Sequence, residues 1–314
     1  MSLLLKKEGI FTSLQDLGRF GRRRFGVPPG GAMDRTAAQI ANLLVGNDES
    51  DAVLELHYPG PEIVFEAECI FTLAGADFDG HIDGSPAVNW RTHIGRESSV
   101  LRFTQKHSGN RCYLAVRGGF PHRSDALSDR RTDRLPAGHR LPCLPVPLHA
   151  PPPAVGIVSN SILPAYSRFP TVRVVAGAEF SLLKEDNNAL ESAAFMLSRN
   201  SDRMGFRLEG PALRMAGNGE MISSPVDFGT IQLLPDGQLI ALMADHQTTG
   251  GYPRLGHIIK ADLPLAGQLG PGDGIGFKIV EIDEAERACA QMERDINWLK
   301  TGLRFAYSPT GSKQ

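Results

Sequence analysis

The chain has 314 residues, 41% of them hydrophobic and 22% charged, with a formal net charge of -2. That is the composition of a globular protein long enough for two domains of roughly 150 residues each. The near-neutral balance supplies no bulk positive field to draw the chain onto nucleic acid or anionic lipid, so neither is an expected partner.

The four cysteines, Cys69, Cys112, Cys143 and Cys289, form no CxxC pair, which argues against a zinc ribbon or redox motif. Cys69 and Cys112 sit in apolar contexts and read as small core residues. At the start of the sequence Leu3-Leu4-Leu5 gives way at once to Lys6-Lys7-Glu8, unlike a signal peptide. No apolar run approaches the roughly 20 residues that span a bilayer. A cytoplasmic protein with no membrane partner is the expectation.

Leu3 to Leu5 opens a strand, and Ile10 to Arg19 mixes apolar residues with side chains able to hold a ligand. The run Arg22-Arg23-Arg24 reads as a solvated face. Val27-Pro28-Pro29-Gly30-Gly31 is irregular, because two prolines lack amide donors and two glycines are flexible. A helix follows: Asp34 can cap it, Ala37, Ile40, Ala41 and Leu44 recur at helical spacing, and Gly46 stops it. From Val53 to Phe103 short strands alternate with turn signals, and Tyr113 to Val116 is a further apolar strand. An Arg-, Ser- and Pro-rich excursion joins the halves between Pro121 and Pro153.

In the second half Val172 to Val175 is an alternating strand. A helix is expected over roughly Lys184 to Arg199, with Leu190, Ala194 and Leu197 on its buried face. More strands run to Val280. A last helix near Asp283 to Lys300 carries Ala285, Cys289, Met292, Ile296 and Leu299 on one side.

The halves echo each other. Gly60-Pro61 and Asp77-Phe78 recur as Gly210-Pro211 and Asp227-Phe228 at the same interval, and Asp83-Gly84 answers Asp236-Gly237. Gly118-Gly119-Phe120-Pro121 answers Gly250-Gly251-Tyr252-Pro253, and Leu135 to Leu141 answers Leu269 to Ile275. Many short strands with one or two helices in each half predict a mainly β protein of two barrels, residues 1–160 and 161–314, rather than a doubly wound sheet.

No GxSxG elbow, HExxH, Walker A loop or GxGxxG fingerprint occurs, and no histidine pair has helical metal spacing, so no metal site is expected. What remains are polar clusters around glycines. The principal one, Asp245-His246-Gln247-Thr248-Thr249-Gly250-Gly251-Tyr252-Pro253, follows the apolar run Leu239 to Met243, the usual way a strand displays a binding loop. Gln247, Thr248 and Thr249, with amides freed by Gly250 and Gly251 and with Tyr252 beside them, suit an amide, urea-like or carboxylate group. Asp245 is the candidate catalytic base, with turn-capping as the plainer role. Gln15, Asp16, Arg19, Asp34 and Arg35 form an N-terminal counterpart, and Arg203 in Ser201 to Gly205 is a candidate anion clamp, or else an ordinary ion pair.

The runs Thr12 to Arg19, Gly26 to Arg35 and Ala41 to Asn47, with Ser201 to Pro211, Gly229 to Gln232, Gln247 to Pro253 and Ala261 to Leu263, closely resemble the allophanate hydrolase subunit 2 family. That family is also called the KipA or biotin-dependent carboxyltransferase family and includes the C subunits of bacterial 5-oxoprolinases. The resemblance covers nearly the whole chain and implies two tandem cyclophilin-like β-barrel domains. It implies a KipI-like partner, the B-type component, and for 5-oxoprolinase an A-type component as well. The activity implied is ATP-dependent opening of 5-oxoproline to glutamate, with carboxyl transfer from carboxybiotin to urea as one alternative and non-catalytic regulation of a KipI-like kinase inhibitor as another. The chain alone is expected to bind no cofactor and to lack turnover: ATP would act in the complex, and carboxybiotin would arrive on another chain, since no Ala-Met-Lys-Met motif is present. From His122 to His139 the sequence departs from the family pattern, being shorter and arginine-rich, and the role of that loop is not carried over.

Overall fold

The structure is a computed structural model that describes residues 1–121, 134–144, 158–183, 189–216 and 221–307. Most of the divergent stretch from His122 therefore lies outside the described residues. The chain is mainly β and divides into two compact units, each assembled from separated segments. Unit 1 comprises Met1–Leu17, Arg35–Pro164 and Glu293–Gln314; unit 2 comprises Gly18–Asp34 and Ala165–Met292. Where the sequence suggests one boundary at 160/161, the chain thus changes unit at 164/165 and exchanges two further segments.

Unit 1 holds β1 (Ser2–Lys7), β2 (Thr12–Gln15), helix α1 (Arg35–Val45), β3 (Val53–His57), β4 (Glu62–Phe65), β5 (Cys69–Asp77), β6 (Gly80–Ile82), β7 (Ser85–Pro86), β8 (Thr92–Gly95), β9 (Val100–Phe103), β10 (Ser108–Val116) and β11 (Arg140–Pro142). They form two antiparallel sheets, ordered β11-β1-β4-β9-β6-β7 and β2-β3-β10-β5-β8. Alternate residues of both sheets, among them Leu3, Leu5, Ile63 and Leu101 from one and Leu54, Leu56, Phe71 and Leu114 from the other, share a single core. Helix α1 packs on β5 and β10, so β5 is buried on both faces from Cys69 to Ala76 and is apolar there apart from Thr72. Gly46, at φ 80°, ends α1 where the sequence places the stop. Cys69 and Cys112 are core residues, as expected, and burial pushes the Cys69 thiol up to about 12.

Unit 2 is built on a closed barrel. Its elements are β12 (Thr171–Ala176), α2 (Ala189–Ser192), β13 (Phe195–Leu197), β14 (Gly205–Glu209), β15 (Ser224–Pro225), β16 (Thr230–Leu233), β17 (Leu239–Leu242), β18 (Thr249–Gly250), β19 (Arg254–Ile258), α3 (Leu263–Gly267) and β20 (Gly274–Ile279). The barrel order is β12-β19-β16-β17-β14-β13-β20, closed by the parallel pair β12–β20, while β15 and β18 pair separately. Its core includes Val172, Phe195, Leu208, Ile231, Leu239, Leu255 and Phe277, and also Met33 from the Gly18–Asp34 segment. The last helix, α4, runs over Ile282–Tyr307, longer than its sequence pattern at both ends.

The helix expected over 184–199 is corrected. Residues 184–188 lie outside the described residues, and beyond them only Ala189–Ser192 is helical. Phe195 and Leu197 point inward and Met196 outward, the period of a strand, and β13 pairs with β14 and β20. Backbone pairing on both sides closes the barrel there and overrides the helical spacing of Leu190, Ala194 and Leu197.

The repeat holds at its first and third pairs. Gly60 and Gly210 both lie against an aromatic ring, where a Cβ would stand 2.5 Å from Phe103 and from Phe195 respectively. Asp83-Gly84 and Asp236-Gly237 turn the hairpins β6–β7 and β16–β17. The last two pairs are not equivalent in topology: Gly118-Gly119 follows β10, whereas Gly250-Gly251 precedes β19. Likewise β11 meets β1 antiparallel, whereas β20 meets β12 parallel.

Candidate functional site

The loop after β17 is fixed at its root by a nearly buried ion pair. Met243 and Ala244 lie in the barrel core, and the Met243 and Asp245 amides donate to the Met204 and Arg203 carbonyls, so the strand pairing continues beyond β17. Arg203 Nε donates to Asp245 Oδ2 at 2.7 Å and Nη2 to Oδ1 at 3.2 Å, with side-chain exposures of 9% and 15%. The same Nη2 donates to the Gly31 carbonyl at 2.6 Å. Of the roles open to Arg203, the structure shows the fork of a bidentate pair with Asp245. Both oxygens of Asp245 are thereby engaged, an arrangement that anchors a loop rather than displays an open base.

Gly18–Asp34 packs alongside. The Gly30 amide donates to the Ala244 carbonyl, and the Arg19 amide to the Pro29 carbonyl. Gly30 and Gly31 have φ of 62° and 90°, values that side chains rarely adopt. A Cβ on Gly30 would stand 3.6 Å from Asp245 Oδ1 and 3.7 Å from Arg19 Nη2, so the Arg19 guanidinium and the Asp245 carboxylate converge on that glycine. Asp34 is fully buried and accepts from the Tyr166 hydroxyl at 2.6 Å and from Gln268 Nε2 at 3.0 Å. Tyr166 and Gln268 carry no local sequence signal for this role. Arg23, in a 3-10 turn over Arg23–Phe25, pairs with Asp227 at 3.2 Å, so one arginine of the basic run has a carboxylate partner.

The outer part of the loop is different in kind. His246 is fully buried, its Nδ1 2.6 Å from the Gln247 carbonyl and its Nε2 3.8 Å from Asp227 Oδ1. Thr248 accepts from the Val226 amide through its carbonyl, and Thr249 and Gly250 pair with Pro225 and Ser224. The Gln247 and Thr248 side chains are half-buried and Thr249 is exposed. None of these three side chains makes a hydrogen bond among the described residues. Tyr252 is 44% exposed, and its carbonyl accepts from Gln232 Nε2 at 3.2 Å. Beyond Pro253, Arg254 locks onto Glu179 with Nε at 3.0 Å and Nη2 at 2.9 Å, which holds the Glu179 carboxyl below its ordinary range. Further along β19, burial and then the Arg254 charge lower His257, whose Nδ1 lies 3.1 Å from the Thr230 hydroxyl.

The Gly-Gly pair does not work as the sequence suggests. Gly118 and Gly119 have φ of 90° and 73° and make a turn that needs glycine for its backbone. Gly250 and Gly251 are outside the left-handed region. Gly250 is small for lack of room, since a Cβ would come within 2.6 Å of Gln232 Nε2 and 3.2 Å of Val226.

The candidate residues thus separate. Arg19, Asp34, Arg203, Asp245 and Gln247 to Tyr252 belong to unit 2, whereas Gln15, Asp16 and Arg35 belong to unit 1. Gln15 is fully buried, donating to the Ser13 hydroxyl at 2.9 Å, and Asp16 is also buried. Asp262, in the Ala261 to Leu263 run, holds β12 in place: it accepts from Arg173 Nε at 3.0 Å and from Nη2 and the backbone amide at 2.7 Å each.

Comparison with known proteins agrees along nearly the whole chain. Residues 25–279 match the family described as carboxyltransferase domain, subdomain A and B. The chain is 34% identical over 289 residues to the C subunit of 5-oxoprolinase from Haemophilus influenzae, covering 88% of this chain and 90% of that protein. It is 32% identical over 309 residues to the C subunit of 5-oxoprolinase from Escherichia coli, covering 93% and 96%. Among solved structures, the urea amidolyase of K. lactis aligns with a TM-score of 0.86 at 24% identity over 95% of this chain and 20% of that one, a likeness of fold. On the extent of the family match and the identity to these relatives, the chain belongs to the carboxyltransferase-domain family, subdomains A and B.

Proposed function

We propose that the chain is one component of an ATP-dependent 5-oxoprolinase, opening a small cyclic amide to glutamate together with A-type and KipI-like B-type partners. The observation that carries this reading is the nearly end-to-end correspondence with two proteins named as the C subunit of 5-oxoprolinase. The site is consistent with it. A loop anchored by Arg203–Asp245 presents three hydrogen-bonding side chains, Gln247, Thr248 and Thr249, that make no hydrogen bond among the described residues. Such groups bind and orient an amide, while Asp245 at the root of the loop is paired with Arg203, as befits a chain that shares its reaction with partners.

Co-expression with A-type and B-type homologues tests this. Hydrolysis of ATP that depends on 5-oxoproline is expected from the complex and not from the isolated chain. Robust turnover by the chain alone, or none by the complex, overturns it. The family description itself favours a second reading, carboxyl transfer to urea or a related amide from carboxybiotin on another polypeptide. Urea-stimulated loss of carboxyl from carboxybiotin, with no response to 5-oxoproline, would select that reading.

A further inference from the structure

We infer that Gln232 is the buried acceptor of the ligand site, and that its Oε1 takes an N–H of a small lactam- or urea-like molecule when the β15–β18 ladder lifts. Gln232 lies in β16 between Ile231 and Leu233, both in the barrel core, so strand alternation directs it outward, yet it is fully buried. Its Nε2 donates to the Tyr252 carbonyl. Only the nitrogen of an amide can face a carbonyl, which fixes the orientation of the side chain and aims Oε1 elsewhere. That oxygen is shielded from solvent and has no hydrogen-bond partner among the described residues.

A buried acceptor without a donor is uncommon in folded proteins and calls for an explanation. The cover over this one is slight. Gly250 lies across the amide, with room for no side chain: a Cβ there would be 2.6 Å from Nε2 and 3.3 Å from Oε1. Gly250 is held by a short ladder, Ser224 with Gly250 and Pro225 with Thr249, continued by the Val226 amide donating to the Thr248 carbonyl. Just before Gly250 in the chain stand Gln247, Thr248 and Thr249, whose side chains are at least partly exposed and make no hydrogen bond within the described residues. An acceptor left unpaired under Gly250, with a run of polar side chains unpaired among the described residues leading into that glycine, defines a site that a ligand completes.

The chemistry selects the ligand's leading atom. An unpaired carbonyl oxygen repels a carboxylate or another carbonyl and accepts an N–H, so a lactam or urea nitrogen enters toward Gln232 and the ligand's own carbonyl is left to the polar run before Gly250. The inference rests on the reading of this loop as the ligand site in the proposed function, and on nothing about ATP or turnover.

The test compares 2-pyrrolidone with N-methyl-2-pyrrolidone, which keeps the carbonyl and lacks the N–H. Binding is measured by NMR titration on the full chain, alone and with its KipI-like partner. The wild type is expected to bind the N–H lactam about tenfold more tightly, the worth of one hydrogen bond. In Gln232→Met, which keeps the length of the side chain, the ratio should fall to near one. Gly250→Ala, which pushes a methyl into the amide, should weaken both ligands. An unchanged ratio in Gln232→Met, or no binding of either lactam by the wild type in either form, overturns the assignment; a purely structural Gln232 would shift both ligands alike. Lactam binding with the expected ratio but without 5-oxoproline-dependent ATP hydrolysis would sink the functional proposal and leave this one standing, and ATP hydrolysis with equal ratios would do the reverse.

Discussion

Arg203 holds Asp245 through two nitrogens of one guanidinium and spends one of them a second time on the Gly31 carbonyl, so a single side chain ties the loop after β17 to the Gly18–Asp34 segment. Removing one partner of a nearly buried pair leaves the other charge uncompensated, a loss of about 3–5 kcal/mol. Arg203→Ala should therefore lower the unfolding free energy by that order in denaturant titration. Arg203→Lys, which keeps the charge without the fork, should fall between. Asp245→Asn should also lose stability; a variant with full stability and no activity in the reconstituted complex would instead restore Asp245 as a free base.

Thr249 is exposed, and among the described residues its backbone is paired with Pro225. Thr249→Val keeps the shape and removes the hydroxyl. Activity of the reconstituted complex should drop while the unfolding free energy stays within the small range usual for surface changes, about 0.5 kcal/mol. A large fall in stability would return the loop to a purely architectural role.

Asp34 accepts a 2.6 Å hydrogen bond from Tyr166 while fully buried. Tyr166→Phe removes that donor from a buried carboxylate and should cost about 1.5–3 kcal/mol. Paired with Asp34→Asn in a double-mutant cycle, the two losses should be clearly non-additive, because the residues touch.

Glu62 gives a pH signature. Lys6 and then Arg102, whose nitrogens lie 2.9 and 3.0 Å from Oε1, hold its carboxyl down to about 2. A folded-state value below the unfolded one, about 4.3, means stabilisation present above that unfolded value and lost as pH falls toward 2. Glu62→Gln should be less stable than wild type by about 1 kcal/mol at pH 7. The difference should close between roughly pH 4 and pH 2. A constant gap across that range would exclude the ionised carboxylate as its cause.

Much of the fold is legible in the sequence because its causes are local. Strand alternation at Val172 to Val175, the stop at Gly46 and the apolar stripe of α4 each follow from neighbouring residues. The stretch around Phe195 misleads for the opposite reason: strand partners on either side, β14 and β20, decide its conformation, and a helical spacing of three apolar residues cannot report them. The same holds for the site. Gln247 to Thr249 stand out as a polar run after an apolar strand, but Arg203 is 42 residues from Asp245 and looks like any surface arginine. Gln232 alternates with Ile231 and Leu233 in β16 as Thr230 does, and only the space left by Gly250 gives it meaning.

Met33 sits in the barrel core of unit 2, and its neighbour Asp34 is bonded to Gln268, 234 residues further along. During synthesis at roughly 5–20 residues per second, the Gly18–Asp34 segment leaves the ribosome some ten to fifty seconds before its partners exist. Through that interval Met33 has no barrel to enter, and a nascent chain carrying it is a natural client for a holding chaperone. A polypeptide begun at residue 165 would meet the converse difficulty, with every barrel strand present and no Met33 to fill the core.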